Sequence, residues 1–175
     1  MRYILLIFSV FLFSLTVISC KSSDDDDLTS STSSTSSTGL FVTVGDNGII
    51  LTSSDVKSWT KRTSGTTKNL YGVTYGDGLV VTVGDNGTIL TSSSGTSWTS
   101  RTSGTTKNLY GVTYGGGLFV TVGDNGTILT SSDGTTWTSR TSNTSKDPYG
   151  VTYGNNTFVT VGDSGTILTS SSGTR

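Results

Sequence analysis

The 175-residue chain contains no alanine, glutamate, glutamine or histidine, and only one cysteine (Cys20) and one proline (Pro148). The missing alanine, glutamate and glutamine are three of the strongest helix formers, so a helical domain is not expected. Without histidine or glutamate, general acid–base chemistry would fall to aspartates alone. A lone cysteine rules out an intramolecular disulfide and any cysteine-based metal site. Eleven Lys and Arg against twelve Asp, a net charge of −1, leave no basic surface for a phosphate backbone, so no nucleic-acid partner is expected. The one long apolar run, residues 4–17, is short of the roughly 20 residues that span a bilayer.

That run has its own meaning. Arg2 precedes it, and Val17-Ile18-Ser19-Cys20 closes it. These four residues resemble the bacterial lipobox, in which a small residue precedes a cysteine that receives lipid. Residues 1–19 are therefore expected to be a lipoprotein signal peptide and Cys20 the lipidation site; an ordinary signal or an uncleaved anchor with a stray cysteine is the plainer alternative. Several acyl chains on one N-terminus would hold the protein firmly at a membrane. After Cys20, residues 21–38 are serines, threonines, Lys21, four aspartates (Asp24 to Asp27) and Leu28. Such a segment buries too little apolar surface to order itself, so residues 20–38 read as a lipidated cysteine and a disordered tether, its ends on the order of 25 Å apart. The location this implies is the bacterial cell envelope: an outer membrane, on its periplasmic face or at the cell surface.

What remains, residues 39–175, repeats every 39 residues without insertion or deletion. Residues 40–78 match 79–117 at 32 of 39 positions, and 79–117 match 118–156 at 30 of 39. A period of this length marks stacked supersecondary units that cannot bury their apolar faces singly. In the third unit, Asn108 to Gly115 read as a strand with Tyr110, Val112 and Tyr114 on one face. Leu118 to Val122 form the next, and Asn125-Gly126 signal a tight hairpin. Thr127 to Ser131 return, Asp133-Gly134 turn, and Trp137 to Thr141 complete a fourth strand. The expected fold is all-β: a β-propeller-type array of four-stranded antiparallel blades, with two full blades flanked by two partial ones. Fourteen strands allow a strained four-bladed ring, an open arc, or homo-oligomeric association that completes the propeller; unpaired edges favour the last.

The run Gly126-Thr127-Ile128-Leu129-Thr130-Ser131-Ser132-Asp133-Gly134-Thr135-Thr136-Trp137 resembles the repeats of bacterial propellers related to photosystem II stability/assembly factors and to BNR/Asp-box (sialidase-like) proteins. It departs from the usual Asp box in having aspartate and glycine adjacent. The resemblance implies a propeller fold and an assembly or binding role, with the Asp turns structural.

Trp59, Trp98 and Trp137 recur at the repeat spacing and are expected to pack between blades, an aromatic sugar platform being the alternative. Tyr71, Tyr110 and Tyr149, with Tyr75, Tyr114 and Tyr153, fall on the innermost strands, to pack there or line a channel. Arg62, Arg101 and Arg140 sit at equivalent outer positions and cannot converge on one substrate as a sialidase requires. Aspartates at 46, 85, 124 and 163 supply one carboxylate per turn, too few for calcium, so no metal or cofactor is expected. Propeller connectivity puts Lys68, Lys107 and Lys146 on the same face as Asp85 and Asp124, with Asn69 and Asn108 between them. That face is the candidate surface for a protein or glycan partner, solvated salt bridges being the alternative. The functional expectation is a non-catalytic, lipid-anchored extracytoplasmic binding or assembly scaffold; an Asp-box glycoside-processing enzyme and a self-assembling surface protein are the alternatives.

Overall fold

The computed structural model describes residues 39–173; the expected signal peptide, Cys20, the tether and Arg175 lie outside them. Four antiparallel sheets follow one another along the chain, each a simple meander. The first blade holds β1 (Phe41–Val44), β2 (Ile50–Ser53) and β3 (Thr60–Arg62). The second holds β4 (Leu70–Gly76), β5 (Leu79–Gly84), β6 (Ile89–Ser92) and β7 (Thr99–Arg101), and the third β8 (Leu109–Gly115), β9 (Leu118–Gly123), β10 (Thr127–Ser131) and β11 (Thr138–Arg140). The fourth stops at three strands: β12 (Pro148–Gly154), β13 (Thr157–Gly162) and β14 (Ile167–Ser170). The fold is an incomplete β-propeller of two full and two partial blades.

Turn chemistry sets the register. Between β9 and β10, Asn125 (φ 55°) and Gly126 (φ 69°) both adopt left-handed backbone, and Thr127 pairs with Gly123 across the hairpin. Asparagine and glycine tolerate that conformation where most residues do not. In the first and third units an aspartate, Asp55 or Asp133, organises the turn after β2 or β10, where the second unit has Ser94. The Asp133 carboxylate accepts first from the hydroxyl of Thr135, then from the amides of Thr136 and Thr135 and the hydroxyl of Ser131, and these bonds hold it well below the usual carboxylate pKa range. The turn then presents the Gly134 carbonyl to the indole N–H of Trp137 at 3.2 Å. Trp59 and Trp98 make the same bond to Val56 and Gly95.

Middle strands are buried on both faces, which explains why β5 and β9 read as nearly continuous valine and threonine. On one side of β5, Val81 and Val83 join Ile89 in a core with Leu109, Phe119 and Leu129 of the third blade; on the other, Val80 joins Val42 and Ile50 of the first. An equivalent core joins Val120, Val122 and Ile128 to Phe158 of the fourth blade. Trp98 packs in the first junction and Trp137 in the second. Trp59, with no blade in front of it among the described residues, is 37% exposed.

The threonine content is reconciled with burial by two repeated hydrogen bonds. Thr82, Thr121 and Thr160 donate to the carbonyls of Gly72, Gly111 and Gly150 at 2.7–2.8 Å. Thr52, Thr91 and Thr130 accept from the Nε of Arg62, Arg101 and Arg140 at 2.8–2.9 Å. Among the described residues no buried side-chain polar atom lacks a partner. Each interior hydroxyl thus avoids a desolvation penalty of about 1–3 kcal/mol.

One expectation about the inner strand needs correcting. Tyr110 does not share a face with Val112 and Tyr114, because the pairing of β8 with β9 shifts between Leu109 and Gly111. This bulge, repeated in β4 and β12, leaves Tyr71, Tyr110 and Tyr149 without ladder partners. Val112 and Tyr114 stay in the junction, and the Tyr153 ring of the fourth blade lies so close over Gly115 that a Cβ there would come within 2.2 Å of it.

Val56 is the local flaw in the array. It occupies left-handed backbone (φ 59°) where the other units place Gly95, Gly134 and Gly173. A β-branched residue there carries strain of roughly 1–2 kcal/mol. Val56→Gly is expected to raise the thermal midpoint by a few degrees; calorimetry showing no change or a fall would contradict this.

Candidate functional site

The bulges gather one tyrosine from each inner strand onto the inner rim of the arc. Tyr71, Tyr110 and Tyr149 stack in series, with ring centroids 5.5 and 5.2 Å apart and planes tilted by 48° and 54°. Tilted rings at this spacing attract one another beyond their shared apolar area. The middle ring is half-buried, while Tyr71 is 37% and Tyr149 50% exposed.

Each phenol is aimed by a carboxylate of its own blade. Tyr71 donates to Asp85 at 2.6 Å, and Tyr110 donates to Asp124. The second carboxylate oxygen accepts from the backbone of Asn69 in the one case and Asn108 in the other, at 3.3 and 3.2 Å. Asp85 and Asp124 begin the hairpin turns after β5 and β9, so the turn chemistry that sets register also fixes the rings.

The asparagines bind across blades. Asn69 Oδ1 accepts from the amide of Asn47 in the preceding blade at 2.9 Å, and Asn108 Oδ1 accepts from Asn86 at 2.9 Å. At the third junction Asp147 takes the asparagine's place, accepting from Asn125 at 2.7 Å. Along the rim, carboxylate, inner strand and preceding turn form one hydrogen-bonded chain from blade to blade.

Of the residues singled out from sequence, Asn69, Asn108, Asp85 and Asp124 are brought together, with their acceptors engaged by this network. Lys68, Lys107 and Lys146 lie beside it, exposed, each anchored by its backbone amide to a threonine hydroxyl. None of the three makes an ion pair among the described residues. Trp98 and Trp137 are away from the rim, within the junctions. The tyrosine series was not resolved from the other inner-strand tyrosines by sequence; the bulge that separates them leaves only a Leu-Tyr-Gly or Pro-Tyr-Gly signal.

Electrostatics argue against phenolate chemistry. Burial, then the hydrogen bond to Asp124, pushes the Tyr110 pKa up to about 12. Burial and Asp85 raise Tyr71, and Asp163 chiefly raises Tyr149. Near neutral pH all three are donors. Among the described residues no group of three or more metal-ligating side chains converges. Two open polar grooves, lined by Arg62, Ser64 and Thr66 in one unit and Arg101, Ser103 and Thr105 in the next, each contain one guanidinium and no carboxylate. The rim thus presents a series of stacked rings with hydrogen-bonding groups beside them.

Comparison with known proteins gives the fold a context. No family model matches the sequence, and no curated protein matches it. Solved structures do. One is YCF48 bound to D1 peptide, at 17% identity and a TM-score of 0.59 over 75% of this chain and 46% of that one. Another is YCF48 from Cyanidioschyzon merolae, at 18% identity and 0.58 over 75% and 48%. The chain therefore spans about half the length of these structures. At such identity the likeness concerns the fold.

Because the fold favours the neutral phenol, Tyr110 contributes stability that is complete below its ordinary pKa of 10.0 and lost as pH rises through about 12. Ultraviolet titration is expected to find Tyr110 ionising in a step near pH 12, with Tyr71 and Tyr149 also above the ordinary tyrosine value. Tyr110→Phe should remove that step and flatten the fall in stability between those pH values; an unchanged titration curve would contradict the assignment.

Proposed function

We propose that the chain is a non-catalytic binding or assembly scaffold, lipid-anchored through Cys20 outside the cytoplasm, whose inner rim engages a segment of a protein partner. The observation that carries the reading is the stacked series Tyr71, Tyr110 and Tyr149, fixed by Asp85 and Asp124 yet partly open to solvent. Preset aromatic rings give contact area at little entropic cost, which is why tyrosine is enriched at interfaces. Rings repeated at about 5 Å suit an extended ligand that runs along the rim. Exposed Lys68, Lys107 and Lys146 beside the carboxylates add charges of both signs for orientation.

A structure of similar fold has a peptide bound, which supports a protein partner over a glycan. Glycoside hydrolysis would need a general acid and a nucleophile. With no glutamate or histidine, with the rim carboxylates engaged as acceptors and with phenols pushed up in pKa, neither is present among the described residues.

Two experiments test this. The first is a peptide array of cell-envelope proteins probed with the full chain. It is expected to yield extended ligands whose affinity drops roughly thirtyfold on Tyr149→Ser, the loss of an aromatic anchor of about 2 kcal/mol. Ligands indifferent to Tyr149→Ser and Tyr71→Ser, or turnover of fluorogenic glycosides, would sink the reading. The second is metabolic labelling with an alkyne fatty acid, which should mark the wild-type chain and not Cys20→Ser.

A further inference from the structure

The two ends of the arc expose the two halves of a junction that the chain forms three times internally. At the second junction the leading face of the second blade, with Val81, Val83 and Ile89, packs on the trailing face of the third, with Phe119, Leu129 and Trp137. The fourth blade carries Val159, Val161 and Ile167 at the leading positions. No blade among the described residues packs on them: Val161 is 50% and Ile167 66% exposed, against 0% for Val83 and Ile89. The first blade carries Phe41, Leu51 and Trp59 at the trailing positions. There Trp59 is 37% exposed and Phe41 and Leu51 are half-buried, whereas Phe119 and Leu129 are 0% and 2% exposed.

We propose that the fourth blade of one copy seats on the first blade of a second copy in the geometry of the internal junctions, and that two copies close an eight-bladed ring. The occupant is argued from the chain itself. Val161 and Ile167 repeat Val122 and Ile128 of the third junction, and Phe41, Leu51 and Trp59 repeat the side chains that receive them in the second. No carboxylate lies on either set of positions, and Lys61, on the outermost strand β3, is at the edge, where Ser100 and Ser139 of the inner blades are also exposed. Such a head-to-tail contact must close or run on as a polymer. Two copies of a four-bladed arc reach the upper end of the usual four to eight blades. A two-fold axis along the ring leaves both copies of Gly39, the first described residue, on one side of it. The surfaces are separate from the tyrosine rim, and the proposal stands or falls independently of peptide binding.

Internal contacts supply a specific cross-link. Leu40 and Leu79, each on the leading side of its blade, lie against Gly95 and Gly134 of the next blade. The equivalent pair across two copies is Thr157 of one and Val56 of the other. Full-length chains bearing Thr157→Cys or Val56→Cys, mixed in detergent under mild oxidation, are expected to form one covalent dimer, with neither variant linking efficiently to itself. Sedimentation velocity should give a dimer with a Kd below about 10 µM, as for interfaces of standard size. Ile167→Asp should weaken it at least thirtyfold while leaving circular dichroism unchanged, because that side chain is already open to solvent in the single copy. A monomer at about 100 µM, a ladder of polymers, or a dimer without the Thr157–Val56 link overturns the proposal.

Discussion

The middle strands of a blade bury both their faces only when another blade lies on each side. Val80 and Val83 of the same strand point into different cores, one shared with the first blade and one with the third. Burying each such side chain contributes about 1.5–3 kcal/mol. A lone sheet of three or four short strands would leave both of these apolar faces in water and forgo that burial. The blade-to-blade junction is therefore the unit of stability, and the period in the sequence is the period of that junction. Its consequence is visible at the ends, where Ile167 is exposed and its equivalents Ile50 and Ile89 are not.

Much of this was legible from residue order. The repeat gave the architecture and strand count, and Asn-Gly gave the hairpins, because a left-handed backbone pair leaves few other choices. The fourth strand was placed slightly long, from Trp137, whereas β11 begins at Thr138 and the indole serves the preceding turn. Harder to read was the inner strand. Simple alternation put Tyr110 with Val112 and Tyr114, and only the tertiary pairing of β8 with β9 reveals the bulge that turns it to the rim. Equally hidden was the acceptor role of Asn69 and Asn108 across blades. The asparagine-to-aspartate change at Asp147 keeps the acceptor oxygen and was the one available clue.

The rim joins architecture to the proposed binding. The same aspartates that open the hairpin turns orient the tyrosines, and the same asparagines that enter the inner strands fasten the preceding turn. A ligand lying across the rings would touch three blades at once and would be sensitive to their spacing. Of the candidate residues chosen from connectivity, Asn69, Asn108, Asp85 and Asp124 have a structural duty, holding turns and rings in place. The aromatic rings they hold are the more available surface.

Native-state hydrogen exchange on the full chain tests the dependence of blade on blade most directly. If junctions carry the fold, the amides of β5, β6, β9 and β10 will exchange through a single shared opening with one free energy and one denaturant dependence. Exchange from the second blade alone, with the third still fully protected, would contradict the account.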